Sequence, residues 1–145
     1  MERIPTILLV DDNPGDIALT QEAFQECGLS ANFLTASDGL EALALLSKSG
    51  IHAEVATPDF ILLDLNLPRM SGREVLSYIK QSDRLKRIPT IILSTSSRQQ
   101  DIEQCYELCA NTYIVKPVQW SQFLAIVRSF EAYWFSVATL PSTTA

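Results

Sequence analysis

TILLVDDN, residues 6–13, is the stretch that decides the fold. An uninterrupted apolar run ends in two aspartates and an asparagine. A run of this length, bounded by turn-forming residues, reads as a strand buried on both faces, and such strands belong to parallel sheets. The same design recurs along the chain: FILL closes on Asp64, TIIL closes on Ser94, and YIV closes on Lys116 with Pro117 next. In an open parallel sheet the ligand site lies beyond the carboxyl ends of the strands. Asp11, Asp12, Asp64, Ser94 and Lys116 are therefore expected to meet at one edge, although they come from four different runs.

That meeting defines a chemistry. Three carboxylates packed together repel one another, so they hold either a proton or a cation. An all-oxygen cluster favours a hard divalent ion, and the ion that keeps waters and also meets phosphate is Mg²⁺. A lysine and a hydroxyl across the same cluster are the usual complement to a phosphoryl group. The set is suited to placing a phosphoryl group on a carboxylate.

Between the runs the pattern turns helical. Pro14 suits a first helical turn, with Asn13 as cap and Gly28 as the end of a helix over 14–27. Phe33–Ala36 reads as a second strand. Asp38 and Glu41 have capping-box spacing, and Leu40, Leu43, Ala44 and Leu46 are the expected buried stripe of the helix they open. Residues 47–58 break the periodicity with Gly50 and Pro58 and read as a long connection at the amino ends of the strands, containing His52, the single histidine. A third strand spans Phe60–Leu63, a helix 72–81, and a fourth strand Thr90–Leu93. Ser97 and Gln100 form a further capping-box pair, opening a helix with Ile102, Tyr106 and Leu108 as its apolar residues. A fifth strand spans Tyr113–Val115 and a last helix runs over 121–137. Five strands alternating with five helices give an α/β doubly wound parallel sheet of flavodoxin-like order 2-1-3-4-5.

The chain has 145 residues, enough for one domain with a single core, and 47% of them are hydrophobic. Its 11 basic against 17 acidic residues give a net charge of −6, which argues against nucleic acid as a partner. No stretch has the length or apolarity to span a bilayer, and the N-terminus lacks the pattern of a signal peptide, so a cytoplasmic location and no membrane contact are expected. The three cysteines have no histidine near them and are expected to be core thiols, with Cys105 and Cys109 on one helical face.

At this point the residues resemble a known family. VDDN at 10–13, LLDLNLPRMSG at 62–72, IPTIILSTS at 88–96 and YIVKP at 113–117 are similar to the receiver (CheY-like) domains of two-component response regulators, over roughly residues 5–130. Within that family, IILSTS and the ending EAYWFSVATLPS most resemble the small regulators paired with cyanobacterial phytochromes. The resemblance implies a single receiver domain over 1–138 and a signalling protein that is not an enzyme in the ordinary sense, while the polar ending over 139–145 reads as a flexible tail. It implies a histidine kinase, of phytochrome type, as phosphodonor. No DNA-binding domain is read in these residues, so an output through transcription is expected to need another protein.

Roles follow residue by residue. Asp64 is expected to be the phosphoacceptor, and Asp11 and Asp12 to bind Mg²⁺ with it. The family places a carbonyl two residues after the acceptor, here that of Asn66. Lys116 is expected to pair with Asp64 at rest and with phosphate afterwards, and the family's Lys-Pro bond is cis, which carries over to Lys116–Pro117. Ser94 and Tyr113 are expected to form the switch, a hydroxyl reaching toward the phosphoryl group while an aromatic swings inward to fill the space it leaves. Thr95 occupies a position that usually holds a very small residue and is expected to narrow access to the phosphoryl group.

In the last helix Phe123, Ile126, Val127, Phe130 and Trp134 follow the spacing of a core face, whereas Leu124, Tyr133, Phe135 and Val137 add apolar surface elsewhere. Large apolar patches are rare on monomers, so a homodimer through Phe130, Tyr133, Trp134, Phe135 and Val137 is expected. The alternative cover is the chain's own tail. Two other functions use similar residues. A phosphatase of the haloacid dehalogenase type would need an aspartate where Asn66 stands and an acid pair late in the chain. A phosphate-independent scaffold would not need the site intact.

Overall fold

The computed structural model describes residues 4–48 and 54–141. Five strands, β1 (Thr6–Val10), β2 (Asn32–Ala36), β3 (Phe60–Leu63), β4 (Thr90–Ser94) and β5 (Thr112–Val115), form one sheet in the order β2-β1-β3-β4-β5. All four pairings are parallel. The register sets Val10 beside Leu63 and Ser94 beside Val115, so β1, β3, β4 and β5 deliver their next residues to the same edge. The helices are α1 (Pro14–Glu26), α2 (Gly39–Ser47), α3 (Gly72–Gln81), α4 (Gln99–Glu107) and α5 (Trp120–Phe130).

Alternation along the strands sorts the helices into two layers. Leu8, Val10, Ile61, Leu63 and Ile92 face α2, α3 and α4 in one buried cluster. Ile7, Leu9, Phe60, Leu62 and Ile91 face α1 and α5 in the other. Central strands covered on both faces are buried along their whole length, as β1 and β3 are, and apolar but for Thr6.

Local chemistry closes most elements where the sequence places their ends. The Asn13 side chain accepts from Gly15 N and Asp16 N at the start of α1, and Gly28 takes φ +75° after its end. Asp38 Oδ1 accepts from Glu41 N at 2.8 Å, opening α2. The buried residues of α2 are Gly39, Ala42, Leu45 and Leu46; of the expected stripe Leu46 is buried and Leu43 packs against the same cluster, whereas Leu40 is exposed. The Ser97–Gln100 capping box does not form. Helix α4 starts at Gln99 without a side-chain cap, because Ser96 rather than Ser97 turns its hydroxyl to the helix start and accepts from Arg98 N. Cys109 is not a core thiol either: α4 ends at Glu107, and Cys109 is exposed beyond it at φ 72°, while Cys105 is buried. His52 and the last four residues of the expected tail lie outside the described residues.

The last helix departs most from expectation. After α5 the chain makes a π-helical segment, Glu131–Phe135. A π turn brings residues five apart onto one side. The rings of Phe130 and Phe135 accordingly lie 5.7 Å apart, and both meet Phe60, at 5.1 and 5.8 Å. Trp134 joins them at 5.5 Å from Phe60. Phe135 is thus drawn onto the core face, and Leu124, expected on another face, is buried. Of the apolar surplus, Tyr133 (53%) and Val137 (71%) stay exposed.

Candidate functional site

Four of the site residues are the first to leave a strand or the last to remain in it. Asp11 follows β1 and Asp64 follows β3, Ser94 ends β4, and Lys116 follows β5. Asp11 N donates to Ala36 O, Asp64 N to Val10 O and Lys116 N to Ser94 O, so the sheet's hydrogen bonds run on to the edge and fix these backbones. Helix α3 presses close beside Asp64. A Cβ on Gly72 would stand 2.1 Å from Asp64 O, so only glycine permits that approach.

Asp11, Asp12 and Asp64 each offer an oxygen, all within 4.8 Å of one another. Lys116 Nζ lies 2.8 Å from Asp11 Oδ2, 3.3 Å from Asp16 Oδ2 and 3.5 Å from Asp64 Oδ2. Its strongest partner is therefore Asp11 and not Asp64, and Asp16 on α1 joins the group. The sequence reading missed Asp16. The available signal was its place in the first turn of the helix that the acid pair leads into. The side chains of Lys116, Asp11 and Asp64 are 14%, 13% and 13% exposed, whereas Asp12 is exposed.

Burial raises the Asp64 pKa above its ordinary value, more than Lys116 and the Asn66 N–H lower it, and Asp11 raises it further. Burial works against the Lys116 ammonium too, but the Asp11 hydrogen bond and the charges of Asp64, Asp11 and Asp16 hold its pKa above the usual lysine value. One ammonium cannot balance this many carboxylates. That imbalance and an all-oxygen donor set fit a hard divalent cation. Asn66 is exposed, and its N–H donates to Asp64 Oδ1 at 3.2 Å. The Lys116–Pro117 bond is not cis, since no described peptide bond is. The trans form is intrinsically favoured, and the lysine reaches the acids from it.

Ser94 is fully buried and its Oγ accepts from Ser96 N at 3.2 Å, while Thr95 is exposed. Tyr113 packs against the α2–α4 cluster and its hydroxyl donates to Ser96 O at 2.9 Å, so the aromatic occupies the inward position. Ser96 and its partners on α3 and α4 were not singled out from sequence. A groove of about 340 Å³ opens beside Lys116, between α1 and the segment leading into α5, lined by Leu19, Pro117, Val118 and Trp120 among others. Val118 is 99% exposed there.

Residues 7–128 match the model of the response regulator receiver domain. Response regulator Rcp1 of Synechocystis sp. (strain ATCC 27184 / PCC 6803 / Kazusa) is 40% identical over 136 residues, covering 94% of this chain and 92% of its own. A crystal structure of the phosphorylated cyanobacterial phytochrome response regulator RcpA superposes with a TM-score of 0.91 at 47% identity, covering 97% of this chain and all of that one. The Mn²⁺-bound form of Rcp1 superposes with a TM-score of 0.88 at 39% identity, over 95% of this chain and 99% of that one. Among the described residues no helix is long and apolar enough to cross a membrane.

Proposed function

The chain belongs to the response regulator receiver family, and from that premise we propose that it takes a phosphoryl group from a histidine kinase onto Asp64. The observation that carries the reading is the convergence of Asp11, Asp12 and Asp64 within 4.8 Å, with the Lys116 ammonium 3.5 Å from Asp64. The Asp64 carboxylate attacks phosphorus, the bond to the donor nitrogen breaks, and the product is an acyl phosphate. Attack by an anion on an anionic phosphate is electrostatically opposed. Mg²⁺ held by Asp11, Asp12, Asp64 and the Asn66 carbonyl would lower that barrier when bound. Lys116 is shared among three acids and is free to turn to the arriving phosphoryl oxygens, a role that suits a compact, rotatable donor. Ser94 and the inward Tyr113 form the switch that reads the new charge, and Thr95 borders access to it.

Acetyl phosphate with Mg²⁺ should add one phosphoryl group to the intact chain, read by mass. Asp64→Asn should abolish the addition, and equal labelling of that variant would remove Asp64 from its role. A chelator should stop the reaction as well.

The donor is a phytochrome-type kinase on this reading, because RcpA is described as a phytochrome response regulator. A donor histidine must come within bonding distance of Asp64. We assign the docking of the kinase helix bearing that histidine to the groove beside Lys116, whose rim carries exposed Leu19 and Val118. Illumination of such a kinase should change the transfer rate to this chain, and Val118→Glu should slow transfer without affecting acetyl phosphate uptake. Faster transfer from a non-photoreceptor kinase of the same cell would overturn the pairing.

A further inference from the structure

Behind the β4–α4 loop lies a polar cluster that meets the switch residues through Ser96, whose N–H donates to Ser94 Oγ at 3.2 Å. Ser96, two residues beyond the buried Ser94, is held from several directions. Its Oγ donates to Asp101 Oδ2 at 2.6 Å and accepts from Arg98 N at 3.2 Å, while its carbonyl accepts from the Tyr113 hydroxyl at 2.9 Å. Asp101, in the first turn of α4, is only 8% exposed, and its other oxygen accepts from Arg73 on α3 at 2.5 Å. One carboxylate thus ties α3, α4 and the loop together. A sheltered charge is tolerated only when matched and hydrogen-bonded, and this one is both. The Ser96 hydroxyl, with Arg98 and Arg73, holds the Asp101 pKa below its usual value against burial.

The pair is nevertheless incomplete. Arg73 Nε is buried with no hydrogen-bond partner among the described residues. Buried donors in a purely structural tie are almost always satisfied. An under-satisfied guanidinium gives up its present arrangement more readily than a fully satisfied one. The cluster also sits where it can matter: Tyr113 can donate inward only when the Ser96 carbonyl is presented to it, and the Ser96 hydroxyl is anchored by Asp101.

We propose that Arg73 and Asp101 are positioning residues for phosphoryl transfer, holding the β4–α4 loop through Ser96 in the conformation that receives Tyr113 inward and so favouring the state that accepts a phosphoryl group. The proposal rests on the assignment of Asp64 as acceptor. A two-state element shifts by whatever its restraints contribute differently to the two states, so losing this restraint lowers the competent population and with it the rate.

The test uses the full chain, acetyl phosphate and Mg²⁺, with Mg²⁺ affinity measured separately. Asp101→Asn should accept phosphate about tenfold more slowly, the scale of a hydrogen bond to a charged group, with Mg²⁺ affinity unchanged. Ser96→Ala, which leaves the Arg73–Asp101 pair in place and so spares the fold, should slow uptake similarly. The double variant should be no slower than Asp101→Asn, because the two residues act along one connection. Uptake at the parent rate in Ser96→Ala, multiplied losses in the double variant, or an equal loss of Mg²⁺ affinity would each overturn the proposal. A parent chain that takes up no phosphoryl group would sink the Asp64 assignment and this proposal together. A parent that does, beside an equally fast Asp101→Asn, sinks the proposal alone.

Discussion

At Asp64 burial and charge act in opposite directions, and burial prevails. The raised pKa means that the native chain binds a proton there more readily than the unfolded chain does. Stability therefore falls as pH rises from the ordinary carboxylate value of 3.8 through the raised native value, and the full cost is present above that native value. In Mg²⁺-free buffer Asp64→Asn should raise the thermal midpoint at pH 7. The gain should shrink as pH falls through the native pKa and vanish below 3.8. A variant no more stable than its parent at pH 7 would mean that Lys116 compensates the buried charge fully. Mg²⁺ should stabilise the parent and not the variant, by linkage to the native state alone.

Among the elements, the π-helical segment after α5 has the clearest physical cause. Phe60 begins β3 and presents a fully buried ring to Phe130, Trp134 and Phe135. A regular α-helix would carry Phe135 away from that ring, and the wider turn brings it back. Aromatic contacts of this edge-on kind add to the burial of area. Phe60→Ala should cost about 3–5 kcal/mol in chemical denaturation and release the Glu131–Phe135 segment, seen as faster amide exchange there. Loss of stability with unchanged exchange in that segment would show that α5 alone holds it.

For the whole molecule the open question is what meets the outer side of β5. It is the last strand of the sheet, so among the described residues one of its edges has no strand neighbour. Edge strands are normally covered or charged. A groove of about 340 Å³ runs beside it, lined by Thr112, Ile114, Ile126, Phe130 and Trp134, and exposed Tyr133 and Val137 lie just beyond in sequence. We propose a second copy of the chain as the cover. The dimer surface is then narrower than the five residues expected from sequence, because Phe130, Trp134 and Phe135 are already partly used inside their own chain. Light scattering at micromolar concentration should give a dimer mass. Tyr133→Ser with Val137→Glu should give a monomer that still accepts phosphate at Asp64, and a monomeric parent would end the proposal.

In the sequence by itself, the order β2-β1-β3-β4-β5 was legible only from the alternation of strands and helices as a whole, whereas local patterns placed the strands, the helix ends and the edge where the acids gather. Those follow from short-range signals: an apolar run closed by a polar residue, an asparagine or aspartate cap, a glycine at a helix end. Asp11, Asp12, Asp64, Ser94 and Lys116 were legible for the same reason, each being the residue at which an apolar run stops. Tertiary structure alone decided which acid Lys116 prefers, that Asp16 joins it, and that Arg73, Ser96 and Asp101 form one cluster. It also decided that Phe135 turns inward. Ion-pair and hydrogen-bond choices among neighbouring groups depend on differences of less than an ångström, here 2.8 against 3.5 Å from one ammonium. Such differences are set by strand register and helix packing together, and no periodicity in a linear sequence encodes them.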